Sequence, residues 1–117
     1  MSGTHRAWQR RLLAITLTAI ALGAAACGSD EEPSAQITMQ DLQFSPREAT
    51  LRVGERVTWQ NNESTPHDVI ANTGATFRSE LIQRDGTFAF TPARPGVIRY
   101  FCSLHRGMTA TLRVMPK

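Results

Sequence analysis

From Gln36 onward apolar and polar residues alternate in short runs, and no stretch of a dozen residues repeats apolar positions at helical spacing between caps. Ile37 and Met39 begin the pattern, with Leu42 and Phe44 as its extension, and Val57, Trp59 and Asn61 share one face of a later run. Thr50 to Val53, Val69 to Ala71, Thr76 to Arg78, Thr87 to Phe90, Val97 to Cys102 and Thr109 to Val114 continue it. Period-two alternation rich in β-branched and aromatic residues is the pattern of half-buried strands. The breaks at Ser45-Pro46, Val53-Gly54-Glu55, Asn72-Thr73-Gly74, Asp85-Gly86 and Arg94-Pro95-Gly96 carry turn chemistry. About eight short strands are therefore predicted, arranged as an all-β antiparallel sandwich. Leu81 to Arg84 is expected to add one helical turn. Met39 and Met115, on strand patterns, are expected in the core.

The first 35 residues read differently. His5, Arg6, Arg10 and Arg11 form a cationic start, and Leu12 to Ala26 form an apolar run of 15 residues interrupted by Thr16 and Thr18. Such a run is short of the roughly 20 residues that span a bilayer, so residues 1–26 are expected to be an export signal. Ala24-Ala25-Ala26-Cys27 resembles a bacterial lipobox, apart from its first position, where Leu is commoner. That resemblance implies diacylation of Cys27 and a lipid anchor; the alternative is ordinary secretion after cleavage at Ala26. Arg10-Arg11 is also compatible with twin-arginine export. Residues 27–35, with Asp30, Glu31, Glu32 and Pro33 among small residues, are expected to be a solvated tether, leaving one domain over residues 36–117.

Within that domain ten Lys and Arg oppose seven acids, a net +3, dispersed along the chain. Without a basic run there is no case for nucleic acid. The chain has two cysteines, Cys27 and Cys102. In an oxidising compartment Cys102 has to be buried, used, or paired with Cys27, and that pairing would pin a flexible tether to a strand end.

Cys102 is followed three residues later by His105 and three after that by Met108, while His67 lies 35 positions upstream. One thiolate, two imidazoles and one thioether are the ligand set of a blue-copper electron-transfer site, a His₂Cys plane with a weak axial Met. Alternation along Val97 to Cys102 puts Ile98, Tyr100 and Cys102 inward if Arg99 faces solvent, bringing the thiol to the sandwich interior at its strand end. Gly107 lets the following loop take positive φ before the next strand. His5 leaves with the signal, so the domain keeps no His beyond these two.

Three blocks carry a family resemblance: Val53-Gly54-Glu55-Arg56-Val57-Thr58-Trp59-Gln60-Asn61-Asn62, Pro66-His67-Asp68-Val69, and Pro95-Gly96 leading through Tyr100-Phe101-Cys102 to His105 and Met108. Together they resemble the cupredoxins, the family of plastocyanin, pseudoazurin and amicyanin, and the Cys-x-x-His-x-x-Met spacing is that of amicyanin. The resemblance implies a Greek-key sandwich and one type 1 copper ion held by His67, Cys102, His105 and Met108. It also implies a monomeric, non-enzymatic carrier passing single electrons between a redox donor and acceptor such as a cytochrome, an oxidase or a reductase. Its place would be the periplasm or the extracytoplasmic face of the cell membrane. In the family the residue after the first His is usually Asn; here it is Asp68, whose carboxylate is expected to hold the Ser103 hydroxyl or to lower the potential. His105 is expected to be the exposed electron port, with Leu104 and Arg106 beside it for docking; Arg106 stands where amicyanin has Pro and suggests an acidic partner.

Three other functions fit less well. A copper-binding or copper-delivery lipoprotein would use the same ligands without redox cycling. A zinc-stabilised interaction sandwich leaves Met108 unexplained, and a catalytic oxidase or nitrite reductase needs further copper sites with His clusters that the domain lacks.

Overall fold

The computed structural model describes Gly23 and residues 35–117. The expected export signal, lipidation at Cys27 and nearly all of the tether lie outside the described residues. Eight strands form two sheets of four: β1 (Ala35–Gln40), β2 (Gln43–Ser45), β4 (Val57–Asn61) and β6 (Thr87–Phe90) in one, ordered β2-β1-β4-β6. The other is ordered β3-β8-β7-β5, from β3 (Glu48–Arg52), β8 (Thr109–Met115), β7 (Gly96–Phe101) and β5 (Ile70–Thr73). Only β1 to β2 and β7 to β8 connect hydrogen-bonded neighbours; every other connection crosses between sheets.

The all-β sandwich agrees with the sequence pattern, but its pairing is mixed. β1 runs parallel to β4, with Ile37 opposite Trp59, and β3 runs parallel to β8, with Leu51 opposite Val114. The crossing connections allow this, since they bring strands far apart in sequence side by side, β1 with β4 at the centre of one sheet and β3 with β8 at the edge of the other. Alternation points Ile37, Met39, Val57, Trp59, Ile98, Tyr100, Leu112 and Val114 into one core. Trp59 packs edge-on against Tyr100 at 5.3 Å between ring centroids, and Tyr100 likewise against Phe44 at 4.8 Å. Burying rings of this size is worth roughly 2–3 kcal/mol each and dominates a small sandwich.

Four local expectations need correction. Met115 and Leu42 are each 47% exposed. The inward face of β8 is taken by Ala110, Leu112 and Val114, which turns Met115 outward, while Leu42 sits in the β1–β2 turn. Thr76 to Arg78 makes no strand: Arg78 forms a single bridge with Ile70, and Phe77 tilts onto Phe90 at 4.6 Å. Leu81 to Arg84 makes no helical turn, because Ile82 instead pairs antiparallel with His67.

Gly74 shows how tightly the β5 end is built. It has φ +83°, and a Cβ there would lie 2.2 Å from the Val97 carbonyl oxygen. Gly74→Ala is expected to destabilise the domain by about 2 kcal/mol, from left-handed strain and a clash with backbone that cannot rotate away. A urea midpoint equal to the parent's would contradict this.

Candidate metal centre

The loop between β7 and β8 hangs from two backbone hydrogen bonds: Cys102 N–H donates to the Met108 carbonyl at 3.0 Å, and Met108 N–H to the His105 carbonyl at 3.2 Å. Gly107, at φ +84°, supplies the turn that lets Met108 fold back beneath the loop. Cys102 and Met108 are 3% and 2% exposed, so the alternation that placed the thiol inward holds. Cys102 is a free, buried thiol among the described residues, and Cys27 lies outside them.

His67 comes from the neighbouring segment and is fully buried. Its backbone is clamped on both sides by Ile82: His67 N–H donates to the Ile82 carbonyl at 3.2 Å, and Ile82 N–H to the His67 carbonyl at 2.7 Å. This bridge, which replaces the expected helical turn, is what fixes the first imidazole.

One ligand atom each from His67, Cys102 and His105 lies within 4.8 Å of the others. His67 Nδ1 is 3.7 Å from Cys102 Sγ, and the two imidazole rings meet at 68° with centroids 4.9 Å apart. Met108 lines the same depression as Cys102 and His105. Burial pushes the Cys102 thiol up; the backbone N–H groups of Asp68 and Leu104 pull it down, and the Asp68 carboxylate adds to the rise. The Asp68 backbone N–H thus serves the sulfur as a donor.

The Asp68 carboxylate is 7% exposed and grips the ligand loop twice: Ser103 N–H donates to Oδ1 at 2.6 Å and the Ser103 hydroxyl to Oδ2 at 2.5 Å. An Asn side chain could not accept at both atoms, which gives the acid a structural reason at this position.

A further carboxylate, Glu63, is one that the sequence did not flag. It accepts from His67 Nε2 at 2.5 Å and from the backbone N–H groups of Asp41 and Leu42 at 3.0 and 3.2 Å. Its partial burial raises its pKa, yet the bonds from His67 and the turn outweigh that and lower it overall. Because a carboxylate only accepts, His67 Nε2 carries the hydrogen and the Nδ1 lone pair is left facing Cys102. Asn61 steadies the arrangement, accepting from Glu63 N–H at 2.9 Å and donating to the Thr65 and Ile82 carbonyls at 2.8 and 2.9 Å. A lone Glu in the polar run Asn61-Asn62-Glu63-Ser64 carries no periodic signal; its place four residues before His67 was the available clue.

His105 is half-buried, and its Nε2 is enclosed with no hydrogen-bond partner. The ring is partly exposed, and Leu104 and Arg106 on either side are exposed. An enclosed, unpartnered imidazole nitrogen beside a buried thiol and a second imidazole of fixed tautomer fits a soft or borderline metal ion.

Comparison with known proteins agrees. The family model described as Cupredoxin-like domain matches residues 11–114. Amicyanin from Paracoccus versutus is 32% identical over 73 residues, covering 59% of this chain but 55% of its own length. Plastocyanin from Scenedesmus fuscus is 31% identical over 85 residues, covering 62% of this chain and 87% of its own. The solved Cu(I) form of an amicyanin variant superposes with a TM-score of 0.67 at 23% identity, covering 72% of this chain and 84% of that one, a likeness of fold. The chain belongs to the cupredoxin-like family.

Proposed function

We propose that this chain carries single electrons between redox partners through one copper ion held by His67, Cys102, His105 and Met108, with Asp68, Ser103 and Glu63 orienting those residues. The observation that carries the reading is the convergence of two imidazoles and a buried thiol within 4.8 Å. When bound, copper supplies a one-electron Cu(I)/Cu(II) couple. The chain's part is to hold the donors nearly still: Ile82 clamps His67, Asp68 clamps the ligand loop, and burial keeps water from Cys102 and Met108. Donors held this firmly suit both oxidation states of a soft, mixed set, which keeps reorganisation small. The same burial argues against copper delivery, since a delivering site needs ligands that an acceptor can reach, and Cys102, Met108 and His67 are all covered.

By this reading residues 1–26 direct export, Cys27 is lipidated, residues 27–35 form the tether, and the domain works at the outer face of the cell membrane or in the periplasm as a monomer. Leu104, His105 and Arg106 form the docking face toward donor and acceptor proteins, which electrons reach through His105. No catalytic step is assigned. The test is the Cu(II)-loaded chain by visible and paramagnetic resonance spectroscopy with voltammetry. An intense blue band, narrow hyperfine splitting and a reversible couple are expected; copper bound without them would favour the delivery reading, and a colourless copper-treated chain would end both.

Asp68 offers a finer check. Its charge lies against the ligand loop, so Asp68→Asn is expected to raise the reduction potential by roughly 60 mV, tenfold in equilibrium for one electron. An unchanged potential would remove the carboxylate from the account.

A further inference from the structure

We propose that a three-arginine arc running from Arg106 across Arg47 to Arg99, beside the ligand loop, docks an acidic protein redox partner; this rests on the electron-carrier reading. Arg47 comes from the connection between β2 and β3, far upstream of Arg99 on β7 and Arg106 in the loop after it, which is why linear charge dispersal concealed them. The fold gathers them around three adjoining depressions. The first, at the ligand loop, is bordered by His105, Arg106 and Thr109. The second lies between that loop and the β1–β2 turn and is bordered by Leu42, Arg47, Arg106 and Thr109. The third opens on the outer face of β7 and β8, between Arg47, Arg99, Thr109 and Thr111. Thr109 belongs to all three, so the arc is continuous with the proposed electron port.

The three guanidinium groups are exposed, and none has an ion-pair partner among the described residues. The nearby acids do little to neutralise them. Glu48 shares a row with Thr111 and Arg99 across the sheet, but it is bound by Arg113, with Nε to Oε1 at 2.6 Å. Glu63 and Asp68 are turned inward onto His67 and Ser103. Asp41, on the rim of the second depression, is the remaining carboxylate, against three free cations. Leu42 and Leu104, both 47% exposed, supply apolar contact at the same end of the molecule.

Free arginines spread around concave, hydroxyl-lined surface complement carboxylates projecting from a folded protein, which Arg can grip bidentately. An anionic lipid surface is the poorer match: lipid-binding clusters carry about 4–8 cations, and headgroups covering this end would shut off His105. Steering by such an arc acts mainly on the association rate and weakens with salt.

The test follows electron transfer from a reduced, strongly acidic plant-type ferredoxin to the oxidised, copper-loaded full chain by stopped flow. The double variant Arg47→Glu/Arg99→Glu is expected to lose at least tenfold in second-order rate at low salt and to show a shallower salt slope, with its visible band unchanged. Arg106→Glu is expected to lose severalfold. Arg94→Glu, at the opposite end of β7, is the control for net charge and should change the rate less than twofold. Parental rates in the double variant, or an equal loss in Arg94→Glu, would overturn the arc. So would binding to phosphatidylglycerol vesicles that the double variant loses while its ferredoxin rate stays parental. If the parent takes up no copper, oxidised ferredoxin titrated into the metal-free chain still decides: amide shifts at Thr109 and Thr111 that vanish in the double variant support the arc, and their absence refutes it.

Discussion

Cys102→Ser is expected to abolish the blue absorption of the Cu(II)-loaded chain and to leave a folded sandwich behind. Cys102 lies at the end of β7 with its backbone tied to Met108, and that bond does not involve the side chain. The hydroxyl is smaller and more polar than the thiol it replaces at a buried position, so the metal-free variant should lose about 1–3 kcal/mol and still fold. The donor set changes far more. A serine hydroxyl is neither soft nor readily deprotonated, and it cannot supply the thiolate covalency on which an intense visible band depends. Copper affinity should drop by more than the roughly 10–100-fold typical of losing an outer partner of a ligand. The parent must also overcome a thiol whose pKa burial has raised, so uptake releases a proton and strengthens as pH rises. Absorption, calorimetric copper titration and circular dichroism on both chains check these points. A variant that keeps the blue band would remove the thiol from the site.

The strands and the inward thiol were legible because both depend on period-two alternation, which puts Val57, Trp59 and Asn61 on one face and, with Arg99 turned to solvent, Ile98, Tyr100 and Cys102 on another. The candidate site was legible because Cys102, His105 and Met108 sit on one short loop whose spacing is itself the signal, and the structure brings Cys102 and His105 together with His67. Four features were not, for a common reason: long-range partners decide them. Ile82 looked like part of a helical turn until its backbone found His67, and Arg78 looked like strand although it meets Ile70 at a single bridge. The parallel pairs β1–β4 and β3–β8 depend on which strands cross between sheets, and alternation is indifferent to direction. Glu63 had no periodicity to betray it, since its role comes from a turn 22 residues upstream.

Glu63→Ala should show how much of the site depends on that turn. Asp41 and Leu42 both hold left-handed backbone, at φ 54° and 56°, the geometry of a tight hairpin that Asn or Gly would adopt more readily. Their N–H groups converge on the Glu63 carboxylate, which also receives His67 Nε2, so one side chain ties the β1–β2 hairpin to the buried imidazole. Alanine leaves the two turn donors to water and the His67 donor without a partner inside the protein. That loss, with charge-assisted bonds among the three, should cost about 3 kcal/mol in the metal-free chain. Glu63→Gln keeps one accepting oxygen and should recover part of it. The potential separates positioning from mere stability: a carboxylate on the far nitrogen makes the imidazole a stronger donor, so both variants should raise the reduction potential, by roughly 60 mV or more. Urea midpoints of the metal-free chains and voltammetry of the copper-loaded ones give the two readouts. A midpoint that falls with an unmoved potential would make Glu63 a turn anchor only, whereas both unmoved would show that the hairpin and His67 hold their places without it.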